Sequence, residues 1–250
     1  MEISLAAEPL FHIGTFTVTN TLIMSLILSC VIIVASFILK KKLKLIPKGF
    51  QNIIEYIMEA FLNLVDSVTH NRKQSEIFFP IVMTIFIFVI LSNWIEIIPG
   101  LGTIGINETH EGKTILVPFI RSASADLNVT LAIALISVFF VQFLGIATIG
   151  ISKYAGKFFV SPLRKPYLVG TFVGLLEIIS EFAKIISFSF RLFGNIFAGE
   201  VLLIVMLNLV PYFVPLPFLF LEIFVGFVQA LVFAMLTLVF LKMATVEAAH

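Results

Sequence analysis

One stretch decides the fold: YLVGTFVGLLEIISEFAKIISFSFRLFGNIFAGEVLLIVML, from Tyr167 to Leu207. It holds no proline. The turn-like Ser161-Pro162-Leu163-Arg164-Lys165-Pro166 precedes it, and the breakers Asn208, Pro211, Pro215 and Pro217 follow. It therefore reads as a single helix. At 1.5 Å per residue such a helix is about 60 Å long, roughly twice the hydrocarbon thickness of a bilayer. It must lie strongly tilted or bend, and a bend is expected near Gly194 or Gly199. A full break lacks the polar turn it would need.

Working outward, Leu22–Leu39, Ile77–Ile95, Leu127–Ser152 and Ile223–Leu241 carry no charge. In lipid the backbone of such runs must satisfy its own hydrogen bonds, so each predicts a membrane helix. The whole chain of 250 residues agrees: 60% is hydrophobic and 12% charged, where soluble domains carry about 25%. The fold class expected is an all-α integral membrane protein, a single membrane domain over 1–250. Its five spans are placed near 20–39, 76–97, 125–152, 167–207 and 216–243, the fourth and fifth forming a hairpin. Residues 49–70 are too polar to span. Ile54, Ile57, Met58, Phe61, Leu62 and Val65 recur there at helical spacing, which predicts an amphipathic helix lying in the membrane interface. The first residues lack a basic region before the first apolar run, so no cleaved signal peptide is expected.

Twelve basic residues fall on one side of these spans: Lys40, Lys41, Lys42, Lys44, Lys48, Arg72, Lys73, Lys153, Lys157, Arg164, Lys165 and Lys242. Only Lys113 and Arg121 fall on the other. The asymmetry puts the N-terminus outside and the C-terminus in the cytoplasm. The run Lys40–Lys48 reads as an orientation signal that also touches lipid headgroups. A net charge of +1 argues against a nucleic-acid partner. A lone cysteine, Cys30, and four scattered histidines give neither a disulfide framework nor a metal site, and no cofactor is expected.

A charge at the bilayer centre costs about 2.5–3.5 kcal/mol on insertion scales, so charged groups inside spans point to function. The long helix carries Glu177, Glu181, Lys184, Arg191 and Glu200, and the last span carries Glu222 and Gln229. On a helical wheel Arg191 shares a face with Asn195, Lys184 and Glu177, while Glu200 points the opposite way. Along the axis Glu177 lies about 21 Å to one side of Arg191 and Glu200 about 13 Å to the other. Glu222 and Gln229, seven apart, share a face. Bland readings stand beside these. Glu181 and Lys184 fit a structural i,i+3 pair, Glu96 and Asp126 fit helix ends, and Trp94 fits an interfacial anchor. Arg191 has no bland reading of equal weight, because it is permanently charged and deep in its helix. Carboxylates on either side of a fixed guanidinium suggest an ion or proton path interrupted at the arginine. A secondary transporter with a midplane charged site is the alternative, although the inverted repeat typical of that class is missing.

Several segments resemble subunit a of the F-type ATP synthase membrane sector. They are Ser189-Phe190-Arg191-Leu192-Phe193-Gly194-Asn195-Ile196-Phe197-Ala198-Gly199-Glu200, Ser124-Ala125-Asp126-Leu127-Asn128-Val129-Thr130-Leu131, Pro47–Glu59, Asn93–Gly100, and Gln229-Ala230 followed by Leu236-Thr237-Leu238. The resemblance covers nearly the whole chain, and Ala7–His12 looks bacterial. It implies a proton-translocating stator subunit that is not catalytic alone and that sits in a bacterial plasma membrane. Its partners would be the c-ring, the subunit b peripheral stalk and the other synthase subunits. Arg191 is implied as the essential arginine facing the c-ring carboxylate. Glu200, Glu222 and Asn195, with Asp126, are implied in an outer half-channel. Gln229 is implied beside the arginine, and Glu177, Ser180 and Ser187 in an inner half-channel. The role of the outer loop Gly102–Lys113 is left open.

Overall fold

A computed structural model describes residues 7–98, 104–110, 113–119, 121–158, 169–210 and 212–245. The elements are β1 (Pro9–Ile13), β2 (Phe16–Thr19), α1 (Asn20–Lys42), α2 (Phe50–Thr69), α3 (Arg72–Ile95), β3 (Gly105–His110), β4 (Lys113–Pro118), α4 (Leu127–Ile149), α5 (Ile151–Phe158), α6 (Val169–Leu209) and α7 (Pro215–Thr245). The molecule is built of helices. Five of those described, α1, α3, α4, α6 and α7, are long and apolar enough to cross a membrane.

Helix α6 is unbroken over 41 residues, which disposes of the break considered for it. Tyr167 and Leu168, the first two residues expected in it, lie outside the described residues, as does the Ser161–Pro166 turn. The third span is shorter than expected and stops at Ile149. Gly150 follows with φ 91°, a conformation glycine adopts without the strain a side chain would bring, and α5 restarts the chain at Ile151. An absence of charge could not reveal that stop. Two small hairpins were not foreseen. β1 pairs antiparallel with β2, turning at Gly14 with φ 64°, and β3 pairs with β4 inside the loop between α3 and α4. Both second strands are rich in β-branched residues, Phe16-Thr17-Val18-Thr19 and Lys113-Thr114-Ile115-Leu116-Val117, but each is too short to show a period. Residues 101–103, 111 and 112 of that loop lie outside the described residues.

One continuous apolar core draws on α2 through α7. Lipid offers helices no hydrophobic reason to associate, so small residues and polar contacts must fasten them. The Asn93 side-chain amide of α3 donates to the Gly226 carbonyl of α7 at 2.9 Å, and Trp94 Nε1 donates to the Ile223 carbonyl at 3.1 Å. Trp94 thus joins two helices, whatever it does at an interface. A Cβ on Gly226 would come within 3.1 Å of Asn93 Cβ, so glycine permits the approach. Thr130 of α4 meets Ser189 of α6 at 3.3 Å. At the far end of α7 the Lys242 ammonium donates to the Thr69 carbonyl and to Gln74 Oε1, tying α7 to the turn between α2 and α3. Helix α1 is held only near its start, where Asn20, Thr21, Met24 and Leu28 are buried.

Gly145 tests this packing. A Cβ there would sit 2.6 Å from the Tyr154 ring and 3.2 Å from the Ala244 carbonyl oxygen. Gly145→Ala is expected to destabilise the fold by about 1–3 kcal/mol, read as a lower melting temperature in detergent. Gly156→Ala, with nothing within 4 Å, should leave it unchanged.

Candidate functional site

Three contacts set the register of α6 against α7. Gly199 meets Glu222, the rings of Phe188 and Phe233 lie 4.9 Å apart, and Lys184 Nζ stands 4.8 Å over the Phe240 ring. The positions step in opposite directions along the two chains, so the helices run antiparallel. Interpolating between the contacts brings Gln229 level with Arg191.

At one end of this pair the charges cluster. Glu200 turns away from the Arg191 face, as the helical wheel requires, and its Oε2 accepts from Arg121 Nη2 at 3.0 Å. Both side chains are largely buried, at 6% and 14% exposure. Glu222 is buried one helix away, packed on Gly199, where a Cβ would stand 3.1 Å from Glu222 Oε1. Glu96, the residue capping α3, lies within electrostatic reach of Glu200, Glu222 and Arg121, and the Ser122 backbone N–H donates to its carboxylate. Asn195 and Glu222 also line one cleft of about 190 Å³ between α6 and α7, together with Gly199 and Leu221. Three carboxylates, one guanidinium and an opening therefore share one end of the helix pair.

Asp126 is placed differently. Its Oδ1 accepts from the Asn128 backbone N–H at 2.8 Å, capping α4, and its Oδ2 accepts from the Thr21 hydroxyl at 2.6 Å. Both oxygens are committed, and the second bond pins α1 to α4.

At the opposite end of α6, Glu181 Oε1 accepts from Lys184 Nζ at 2.6 Å. This is the structural i,i+3 pair, and the ring of Phe240 covers the lysine. The wheel had put Lys184 beside Arg191, but its flexible stem carries the ammonium to α7 instead. Buried Tyr154 of α5 donates to Gln142 Oε1 of α4. Burial, aided by the Glu181 and Glu177 carboxylates, pushes its hydroxyl up to about 12, so it stays a donor at physiological pH. Glu177 is half-buried beside this group, whereas Ser187 is exposed.

Between the two acidic ends stands Arg191. It is exposed, together with Ala183, Ser187, Gly194, Asn195 and Ala198 along one face of α6. Phe182, Ile186 and Phe190, all more than half exposed, flank it. Asn195 folds back, its amide donating to the Arg191 carbonyl at 2.8 Å. Among the described residues no carboxylate lies within ion-pair distance of the guanidinium.

The family described as the ATP synthase A chain matches residues 21–242. The chain belongs to that family. The ATP synthase subunit a of Campylobacter jejuni subsp. jejuni serotype O:23/36 is 33% identical over 94% of this chain and 89% of its own length. That of Campylobacter concisus is 32% identical over 90% of this chain and 88% of its own. The subunit a of Moorella thermoacetica is 28% identical over 93% of each. As an ATP synthase A chain, the protein is a multi-pass membrane subunit that works in ATP synthesis and ion transport with the other subunits of a synthase, and it is not an enzyme by itself.

Three residues of these clusters escaped the sequence reading of the site. Arg121 stood only as an orientation charge, Glu96 only as a helix end, and Tyr154 not at all. Arg121 and Glu200 are 79 positions apart, so no local spacing links them.

Proposed function

We propose that this A chain is the proton-translocating stator of an F-type synthase, with Arg191 dividing two aqueous half-channels. One observation carries the reading: a permanent cation stands exposed on a largely apolar helix face, with no counter-ion among the described residues. In a membrane such a charge needs a partner, and a carboxylate on a neighbouring chain supplies it. The c-ring is that neighbour. Its ion-carrying carboxylates pass along the face of Ser187, Arg191, Gly194 and Asn195. The small side chains on that face allow close approach, and a strong tilt of α6 brings a long part of it against the ring.

Protons enter from outside along Asn195, Glu222 and Glu200, with Asp126 at the margin, and neutralise a ring carboxylate that then turns into lipid. They leave to the cytoplasm past Ser187 and Glu177. Arg191 favours the ionised carboxylate at the interface and repels a proton crossing directly between the passages. Gln229, level with it on α7, supplies polar contacts that hold its orientation. The transmembrane potential drives the cycle with about 2.3 kcal/mol per charge per 100 mV. In this reading the chain lies in a bacterial plasma membrane, N-terminus outside, with α2 on the cytoplasmic surface and a subunit b stalk beside it.

Cross-linking tests the ring contact. With Cys30→Ser as background, Ser187→Cys and Asn195→Cys should each form an oxidative cross-link to a cysteine on the outer helix of the ring subunit. Thr148→Cys, exposed on α4, should not. Absence of the Ser187 and Asn195 cross-links in an assembled complex would refute the contact. A transporter would instead take up a substrate with no ring present.

A further inference from the structure

We propose that the cleft between the end of α1 and the start of α2 holds the headgroup of an anionic phospholipid. The cleft measures about 610 Å³, and Lys41, Lys42, Lys44 and Lys48 line it. No acidic residue shares its wall.

The loop carrying these lysines is fixed. The Gln51 side-chain amide grips the main chain of Lys44 from both sides: its Oε1 accepts from Lys44 N–H at 3.1 Å, and its Nε2 donates to the Lys44 carbonyl at 2.8 Å. Glu55 accepts from the same Nε2 at 2.6 Å, which holds the amide in place. The clamp fixes the main chain at Lys44, and the four lysines line one cleft. An anion seated in the cleft would be attracted by all four lysines.

The occupant is a lipid because the cationic cup opens onto an apolar wall. Leu39, Leu43, Phe50 and the clamping Gln51 complete its lining, and Leu45 and Ile46 beside it are 105% and 72% exposed. The wall continues down α1 through exposed Phe37 and Ile38. A phosphate above an apolar strip along a membrane-crossing helix matches a headgroup with its acyl chains. A soluble anion has no use for the strip. An acidic peptide is the competing occupant, and the experiment separates the three.

The test uses the full chain in a neutral detergent, titrated with palmitoyl-oleoyl phosphatidylglycerol and, separately, with the phosphatidylcholine of the same chains. Native mass spectrometry reads the bound lipid. Retention of phosphatidylglycerol over phosphatidylcholine is expected. A juxtamembrane lysine near anionic lipid contributes about fivefold in affinity. Lys44→Gln with Lys48→Gln should therefore weaken phosphatidylglycerol binding roughly 20-fold. Lys40→Gln with Lys73→Gln removes the same charge outside the cleft and should weaken binding far less, since neither residue lines it. Gln51→Ala keeps every charge, releases the clamp and should still weaken binding several-fold. Equal losses in the two lysine pairs would reduce the site to diffuse attraction and overturn the proposal. So would equal retention of phosphatidylcholine, displacement of the lipid by millimolar inorganic phosphate, or displacement by polyglutamate at matched charge.

Discussion

Arg191→Ala is expected to abolish ATP-driven proton pumping, and Arg191→Lys to abolish it as well. The alanine variant removes the charge proposed to separate the passages, so two changes should appear together in membrane vesicles. ATP-dependent acidification should fall to background. Passive proton flux, measured after the catalytic head is stripped away, should rise. The lysine variant asks a finer question. An ammonium carries the same charge, but lysine loses its proton when desolvated and lacks the planar fork that meets a carboxylate at two points. Arg191 is accessible on its own subunit, flanked by Phe190 and Ile186, and under the proposed function is desolvated only when the ring covers it. Lysine should therefore fail in the assembled synthase while the isolated subunit folds normally. Normal pumping by either variant would defeat the division of the path. Both losses are large because no neighbouring cation on the exposed face can substitute: Lys184 is turned toward Glu181 and Phe240.

Why the spans were legible and parts of the site were not follows from range. A membrane helix announces itself locally, since an uncharged run long enough to cross the bilayer has one stable answer in lipid. The five long helices begin and end within a few residues of expectation wherever polar residues or prolines mark the boundary. Gly150 shows the limit: the stop there depends on a backbone conformation, not on polarity. Arg191 could be singled out from the sequence because a charge in mid-span is costly wherever its neighbours are. The partner of Glu200 was not, because the helical wheel gives a direction and no address. It correctly turned Glu200 away from Arg191, yet only the folded chain brings Arg121 to that side. The partner of Asp126 was hidden for the same reason. Its capping role is local and readable, while its bond to Thr21 spans 105 positions.

The outer cluster makes the second large effect. Glu200 and Glu222 belong to different helices but share one end of the α6–α7 pair, with Gly199 the point of contact. On the proposed water-filled path the two carboxylates would share a proton and work as a unit. Glu200→Gln and Glu222→Gln should each slow passive proton flux through the membrane sector. The double variant should cost less in free energy than the two single costs together, because the first substitution already breaks the relay. Arg121 sharpens the expectation. Glu200 also accepts from the Arg121 guanidinium at 3.0 Å, so the Glu200 variant loses a charge pair as well as a member of the relay and should be the slower of the two single changes. Glu177 stands about 35 Å from Glu200 along the helix axis, on the far side of Arg191. Glu177→Gln should therefore combine additively with either outer change. Flux is compared in vesicles stripped of the catalytic head, for the wild type, the three single variants and the double variants. Additivity between Glu200 and Glu222 would dissolve the shared relay even if each residue mattered alone. Strong coupling between Glu177 and Glu200 would go further, because it would mean that one continuous path runs past Arg191.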